Sequence, residues 1–174
     1  MAVLHLYVWN TDLSEKIDAV IEQATTADFS KTSTWQTQWT SSAAEQMPNK
    51  VALHRKSDGE LLGLISYALD DKGLAVEIIY IESAEHSNAN LLKEQSRKKK
   101  YIGIARALFA YAISVSKSAG YNGVLYFKAK TDELRKYYIN EFGAIPVGHY
   151  DPYRLVIWED EAQAIISDYE EEQT

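Results

Sequence analysis

Cysteine is missing from this chain altogether. That absence excludes disulfides, thiolate metal sites and a cysteine nucleophile together, and it fits the expectation of a cytoplasmic protein. The histidines at 5, 54, 86 and 149 share no His-x-x-x-His or facing-carboxylate spacing, so no metal site is expected. Neither a Gly-x-Ser-x-Gly elbow nor a Gly-x-x-x-x-Gly-Lys phosphate loop occurs, which leaves a serine hydrolase or a nucleoside triphosphatase without its machinery. No apolar run approaches the ~20 residues of a membrane span. The opening Met1-Ala-Val-Leu-His-Leu6 has neither the basic start nor the small-residue cleavage site of a secretory signal. Positive charge is short too: 18 Lys and Arg against 25 Asp and Glu leave a net charge of −7. That balance argues against nucleic acid as a general partner and suits a cationic small substrate.

What is present reads as an ordinary soluble domain, 46% apolar and 25% charged. A length of 174 residues predicts one domain over 1–174, with no internal repeat and no boundary. Val3 to Trp9 is dense in β-formers and predicts a first strand. Asn10, Thr11 or Asp12 can cap a helix carrying Ile17, Val20 and Ile21 on one face. Residues 25 to 49, with Trp35 and Trp39 four apart, suit a second helix whose indoles pack on the core or touch substrate. Lys50–Arg55 and Leu61–Ala68 flank Ser57-Asp58-Gly59-Glu60, a hairpin signal, and Leu74–Ile81 follows as a third antiparallel strand. A long polar connection then runs over 82–99, with a helical turn around Leu91-Leu92.

The densest signal is Arg97-Lys-Lys-Lys-Tyr-Ile-Gly103-Ile-Ala105, a basic loop running into an amphipathic helix. Gly103 at the helix start lets backbone approach a ligand, and the orphan N–H groups with the macrodipole favour a phosphate there. The helix stops at Gly120. Gly123–Ala129 is strand-like and, across that helix, should lie parallel to Leu74–Ile81 with a right-handed crossover. Thr131-Asp-Glu opens another helix, with apolar positions 134, 137, 138 and 142, which Gly143 ends. Ala144–Val147 and Tyr153–Trp158 read as closing strands, Glu161–Ile166 as a short helix, and Tyr169–Thr174 as a loose acidic tail.

Lys100-Tyr-Ile-Gly103-Ile-Ala105 resembles the Gln/Arg-x-x-Gly-x-Gly/Ala motif of the GNAT superfamily, the acyl-CoA-dependent N-acyltransferases. Tyr137-Tyr138-Ile-Asn-Glu-Phe-Gly143-Ala144 looks like that family's Tyr-x-x-x-Gly-Phe close. The resemblance covers roughly residues 50 to 158. It implies an α/β (α+β) fold: a mixed, mostly antiparallel sheet of six to seven strands, helices on both faces, and a parallel pair splayed into an acyl-CoA slot. It also implies N-acetyl transfer from acetyl-CoA, the acyl donor, to a primary amine by direct attack and without a metal. The alternative is a non-catalytic acyl-CoA-binding module of the same fold. A small-molecule or peptide amine is the expected acceptor, no membrane is involved, and a homodimer is compatible with the sequence.

The resemblance assigns the cofactor to Ile81, Glu82 and Ser83, to Lys98, Lys99, Lys100, Tyr101, Ile102, Gly103, Ile104 and Ala105, and to Thr131. Two departures mark this copy. Lys100 stands where Gln or Arg is usual, and four residues rather than three separate Tyr138 from Gly143. An extra helical residue turns a side chain by ~100°, so Tyr137 competes with Tyr138 as proton donor to the leaving sulfur. Glu77, mid-strand among apolar neighbours, is the candidate base, with Glu82 as its substitute. Simple alternation groups Glu77 with Ile79 and Ile81 on one face, and Ile78 with Tyr80 and Glu82 on the other.

Overall fold

The computed structural model describes residues 2–94 and 98–172. From the amino end the chain lays down β1 (Ala2–Leu4), β2 (Tyr7–Asn10), β3 (Glu15–Gln23), α1 (Thr26–Ser30) and α2 (Ser42–Glu45). The meander β4 (Lys50–Arg55), β5 (Leu61–Asp70) and β6 (Ala75–Ser83) follows, then a 3-10 turn (Glu85–Ser87) and α3 (Ala89–Glu94). After β7 (Tyr101–Ile102) come α4 (Ile104–Ser118), β8 (Leu125–Lys128) and α5 (Asp132–Phe142). The chain closes with β9 (Ile145–Pro146), β10 (Arg154–Ile157), α6 (Glu159–Ser167) and β11 (Glu170–Glu172).

Nine strands form one sheet in the order β7-β2-β3-β4-β5-β6-β8-β10-β9, and β1 pairs with β11 in a separate ribbon. Among the described residues only β6 and β8 pair in parallel. The count exceeds the expected six to seven because β7 and β9 are two-residue strands at the two edges. One face of the sheet carries α4, with Leu108, Phe109 and Ile113 fully buried, and α6 packs behind it. A smaller core of Trp35, Trp39, Ala52, Leu61, Leu64 and Ala84 covers the other face. Each such large side chain contributes about 1.5–3 kcal/mol by leaving water.

Three local expectations are corrected. The helix expected after Asn10 is strand β3, because Ile17, Val20 and Ile21 satisfy a helical spacing while Ile17, Ala19 and Ile21 satisfy a strand's. Pairing with β2 and β4 decides the matter, and the Asn10 side chain shapes the turn: its Oδ1 accepts from the Asp12 and Leu13 amides at 3.0 Å each. That turn, with Ser14 at φ 51, folds the chain back as a hairpin on β2. Residues 25–49 form two short helices rather than one, and Trp35 and Trp39 lie between them, buried. The tail expected to be loose is strand β11 over Glu170–Glu172, held antiparallel to β1.

β6 contains the feature that matters most for the site. Ser66 pairs with Tyr80 and Tyr67 with Ile78, so Ile79 is an extra residue with no partner. This β-bulge shifts the strand's phase. Ile78 and Ile81 join the core under α4, whereas Tyr80 packs with the Trp39 core. Simple alternation had put Ile78 and Tyr80 together and Ile81 apart from both.

Candidate active site

β6 and β8 stay hydrogen-bonded only where Val76–Ile78 faces Leu125–Phe127. Beyond that point β6 continues to Ser83, while β8 ends at Lys128 and the chain turns into α5. The gap opens into a cavity of about 300 Å³ whose walls include Ile78 to Ser83, Gly103 to Ala105, Phe127, Lys130 and Tyr138. The slot follows from strand lengths: β5 stays paired to β6 up to Ser83, but on the β8 side no strand continues beside its second half.

Gly103 stands at the cap of α4 with φ 91, ψ 7 and no side chain bonding the helix amides. A Cβ there would meet nothing within 4 Å, so glycine is required by the backbone conformation and not by crowding. The first amide to turn back into the helix is that of Ala107, which donates to the Gly103 carbonyl at 3.0 Å. The Ile104, Ala105 and Arg106 amides before it are the orphan donors of a 15-residue helix, at its positive end. The loop leading there is braced by its neighbours. The Thr11 amide donates to the Lys100 carbonyl at 3.0 Å, and the Thr11 hydroxyl to the Lys99 carbonyl at 2.5 Å. Of this loop's lysines, Lys98 to Lys100, only Lys99 lines the cavity. Lys98 reaches Asp12 at 3.9 Å, and Lys100 donates to Glu60 at 2.8 Å. Arg97 lies outside the described residues.

Tyr138 reaches the same cavity from α5. Thr131 caps that helix by accepting from the Leu134 amide at 3.1 Å, and Gly143 ends it at φ 68. The Gly143 amide donates to the Tyr138 carbonyl, five residues back, a π-type widening. Tyr138 is 8% exposed, its ring set edge-on to Phe109 and Phe127 at 5.7 and 5.1 Å. Its hydroxyl has no hydrogen-bond partner among the described residues, and burial pushes its pKa up to about 12. Tyr137 also lines the cavity but is 39% exposed.

Compared by sequence, the chain matches no family model and no curated protein. Compared by structure, it is similar to solved GNAT proteins over nearly their whole length, and three such structures illustrate this. The AtaT–AtaR complex bound to DNA aligns with TM-score 0.58 at 17% identity, over 84% of this chain and 98% of that one. A tyrosine-to-phenylalanine mutant of the AtaT toxin, bound to the C-terminus of the antitoxin AtaR and acetyl-CoA, aligns with TM-score 0.56 at 16% identity, over 86% and 99%. A GNAT-family acetyltransferase from Listeria monocytogenes aligns with TM-score 0.54 at 12% identity, over 87% and 98%. The chain has the GNAT fold. These neighbours also correct one expectation, since a protein of this fold is found in a complex on DNA. Net charge is a sum over the whole molecule, and it sets no limit on one face or on what a partner chain contributes. Nucleic acid is therefore not excluded by the −7 balance.

Within the GNAT fold the remaining site residues sort clearly. Ile81, Glu82, Ser83, Lys99, Tyr101, Gly103, Ile104, Ala105 and Tyr138 meet on the cavity, whereas Glu77, Lys98, Lys100, Ile102 and Thr131 do not line it. Glu77 lies before the bulge and accepts a hydrogen bond from the Tyr126 hydroxyl at 2.6 Å, so it has no direct contact with the slot. Ile102 is committed to pairing with Trp9, and Thr131 to its cap. Glu82 is 6% exposed, and its carboxylate accepts from the Gln36 and Thr37 amides and the Trp39 indole at 2.7, 3.1 and 3.3 Å. Those bonds pin the 36–39 loop to the end of β6.

Gln36, Tyr80, Lys130 and Glu133 are among the cavity residues that escaped the sequence reading. Lys130 places its ammonium 3.1 Å from the centroid of the Tyr80 ring, on the Trp39 side of the sheet. Of the two carboxylates lining the cavity, Glu133 alone has no hydrogen-bond or ion-pair partner among the described residues. In sequence Glu133 signals only an acidic first turn behind the Thr131 cap. Among the described residues no group of His, Asp or Glu is placed to hold a metal, and no helix is long and apolar enough to cross a membrane.

Proposed function

We propose that the slot binds acetyl-CoA and transfers its acetyl group to a primary amine by direct attack. The observation that carries this reading is the meeting, on one cavity between splayed parallel strands, of orphan amides at the Gly103 cap and the unpartnered Tyr138 hydroxyl. Cofactor pyrophosphate would sit on the Ile104–Arg106 amides, with the Lys99 ammonium near it. The pantetheine arm would run into the gap beside β6, past the bulge. There the neutral amine attacks the thioester carbonyl, and the oxyanion is held by amides that β6 turns toward the gap. The C–S bond then breaks, and the thiolate takes the Tyr138 proton. A hydroxyl with its pKa near 12 is fully protonated at neutral pH and available to give that proton. The ammonium proton leaves to Glu133, directly or through water. Glu77, hydrogen-bonded by the Tyr126 hydroxyl, is the rival base.

A screen of thiol release from acetyl-CoA over amine classes tests the proposal. Release with at least one class is the expected result. Saturable CoA binding with no release from any class would leave the non-catalytic binding module as the reading. On the strength of the neighbour bound to the antitoxin AtaR and of the complex on DNA, a protein partner and nucleic acid join the amine acceptor as candidates for what this chain assembles with. Co-purification with a tagged chain, followed by a salt titration of any nucleic acid retained, tests both.

A further inference from the structure

The position where the GNAT motif carries Gln or Arg is Lys100, and its ammonium points away from the cavity, onto the Glu60 carboxylate at 2.8 Å. The other oxygen of Glu60 accepts from the Tyr101 hydroxyl at 2.6 Å. Tyr101 is 0% exposed, accepts from Arg55 Nη1 at 3.0 Å, and spends its own amide on the Ser87 hydroxyl at 3.0 Å. Lys100 in turn gives its amide to the His86 carbonyl at 2.7 Å. Glu60 is held in place by the hairpin it belongs to, where its amide donates to the Asp58 side chain at 3.1 Å. Burial works to raise its pKa, but the bonds from Lys100 and Tyr101 outweigh that and hold it below the usual carboxylate range.

From this geometry we propose that Glu60 is a positioning residue for the cofactor loop. It grips Lys100 and Tyr101, 40 and 41 residues further on, and so fixes where the amides beyond Gly103 point. The inference rests on the acetyl-CoA reading of the slot. Two charge-assisted hydrogen bonds from consecutive residues leave little freedom for the chain just ahead of Gly103. Lys100 is thereby a strut and not a phosphate ligand. The two roles predict opposite signs. If Lys100 were a phosphate ligand sequestered by Glu60, neutralising Glu60 would release it and tighten CoA binding. If Glu60 positions the loop, the same change weakens it.

The experiment is a calorimetric titration of the whole chain with CoA and with acetyl-pantetheine, which lacks the pyrophosphate. The proteins are wild type, Glu60→Gln, Lys100→Met and the double variant. Each single change is expected to raise the CoA Kd by about 3–30-fold, the loss of one or two charge-assisted bonds. The double variant should be no weaker than the worse single, because both remove one interaction. Binding of acetyl-pantetheine should not change, a selectivity that general loosening of the fold would not produce. An unchanged or tightened CoA affinity in Glu60→Gln would overturn the inference, as would fully additive losses in the double variant. Should Glu60→Gln fail to fold, Tyr101→Phe, which removes the other bond to Glu60 and leaves the Lys100 ammonium in place, keeps the test: a raised CoA Kd supports the inference and an unchanged or tightened one overturns it. A wild-type chain that binds no CoA would sink the slot reading itself, before any variant is compared.

Discussion

Replacing Tyr138 by phenylalanine separates chemistry from packing more sharply than any other single change in this protein. The ring is held by Phe109, Phe127 and Phe142, and phenylalanine keeps all of those contacts. The hydroxyl makes no hydrogen bond among the described residues, so its removal breaks none, and stability should move by less than about 1 kcal/mol. If that hydroxyl protonates the leaving thiolate, turnover should fall roughly 10–10³-fold, about 1.4–4 kcal/mol of barrier, with the Kd for acetyl-CoA nearly unchanged. Its pKa, raised to about 12 by burial, lies above any practical assay range, so wild type should show no alkaline limb from this group. Tyr137→Phe, at a ring 39% exposed, should be close to neutral. The assay is steady-state thiol release under saturating acetyl-CoA, with melting curves on the same preparations. A folded Tyr138→Phe chain working at the wild-type rate would refute the reasoning. A damaged Tyr137→Phe beside it would hand the role to the neighbour.

The other expectations concern the base, the loop, the acceptor wall and pH. Glu133→Gln should lower turnover most on the acid side of the profile, where the amine needs help to lose its proton, whereas Glu77→Gln should have little effect; the reverse order would restore Glu77 as base. Gly103→Ala should fold, because a Cβ there has room, at a cost of about 1–2 kcal/mol for holding φ 91. Its CoA-induced rise in melting temperature should shrink, and a full rise would remove the loop from the site. Glu82→Gln should cost about 1–3 kcal/mol in chemical denaturation, since three N–H groups lose acceptor capacity in a buried place. No change in midpoint would mean that the 36–39 loop does not depend on it. Burial lowers the pKa of His86, so between its depressed folded value and the ordinary one near 6.5 the unfolded chain binds more protons. Stability should therefore fall as pH drops below about 6.5, and His86→Gln should flatten that slope. An identical slope in the variant would assign it to other groups.

Much of this protein was legible in its residues because the signals are local. The Asp58-Gly59 turn, the three antiparallel strands around it, the Gly103 cap, the Thr131 cap and the Gly143 stop each depend on side-chain chemistry within a few positions, and each is where the sequence puts it. Tertiary structure decided what those signals left degenerate. Ile17, Val20 and Ile21 satisfy a helix as well as Ile17, Ala19 and Ile21 satisfy a strand, and only pairing with β2 and β4 selects the strand. The bulge at Ile79 is invisible where both faces of β6 are apolar, yet it sets which residues look into the slot. Tyr138 lies on the cavity although one residue more than the family spacing separates it from Gly143, and only the packing of α5 shows this. The partners of Lys100, Glu77 and Glu82 lie tens of residues away, and a charge's role depends on which groups it finds across that distance. Periodicity and motifs thus determine elements and their ends, while long-range pairing determines phase, and phase determines which side chains do the chemistry.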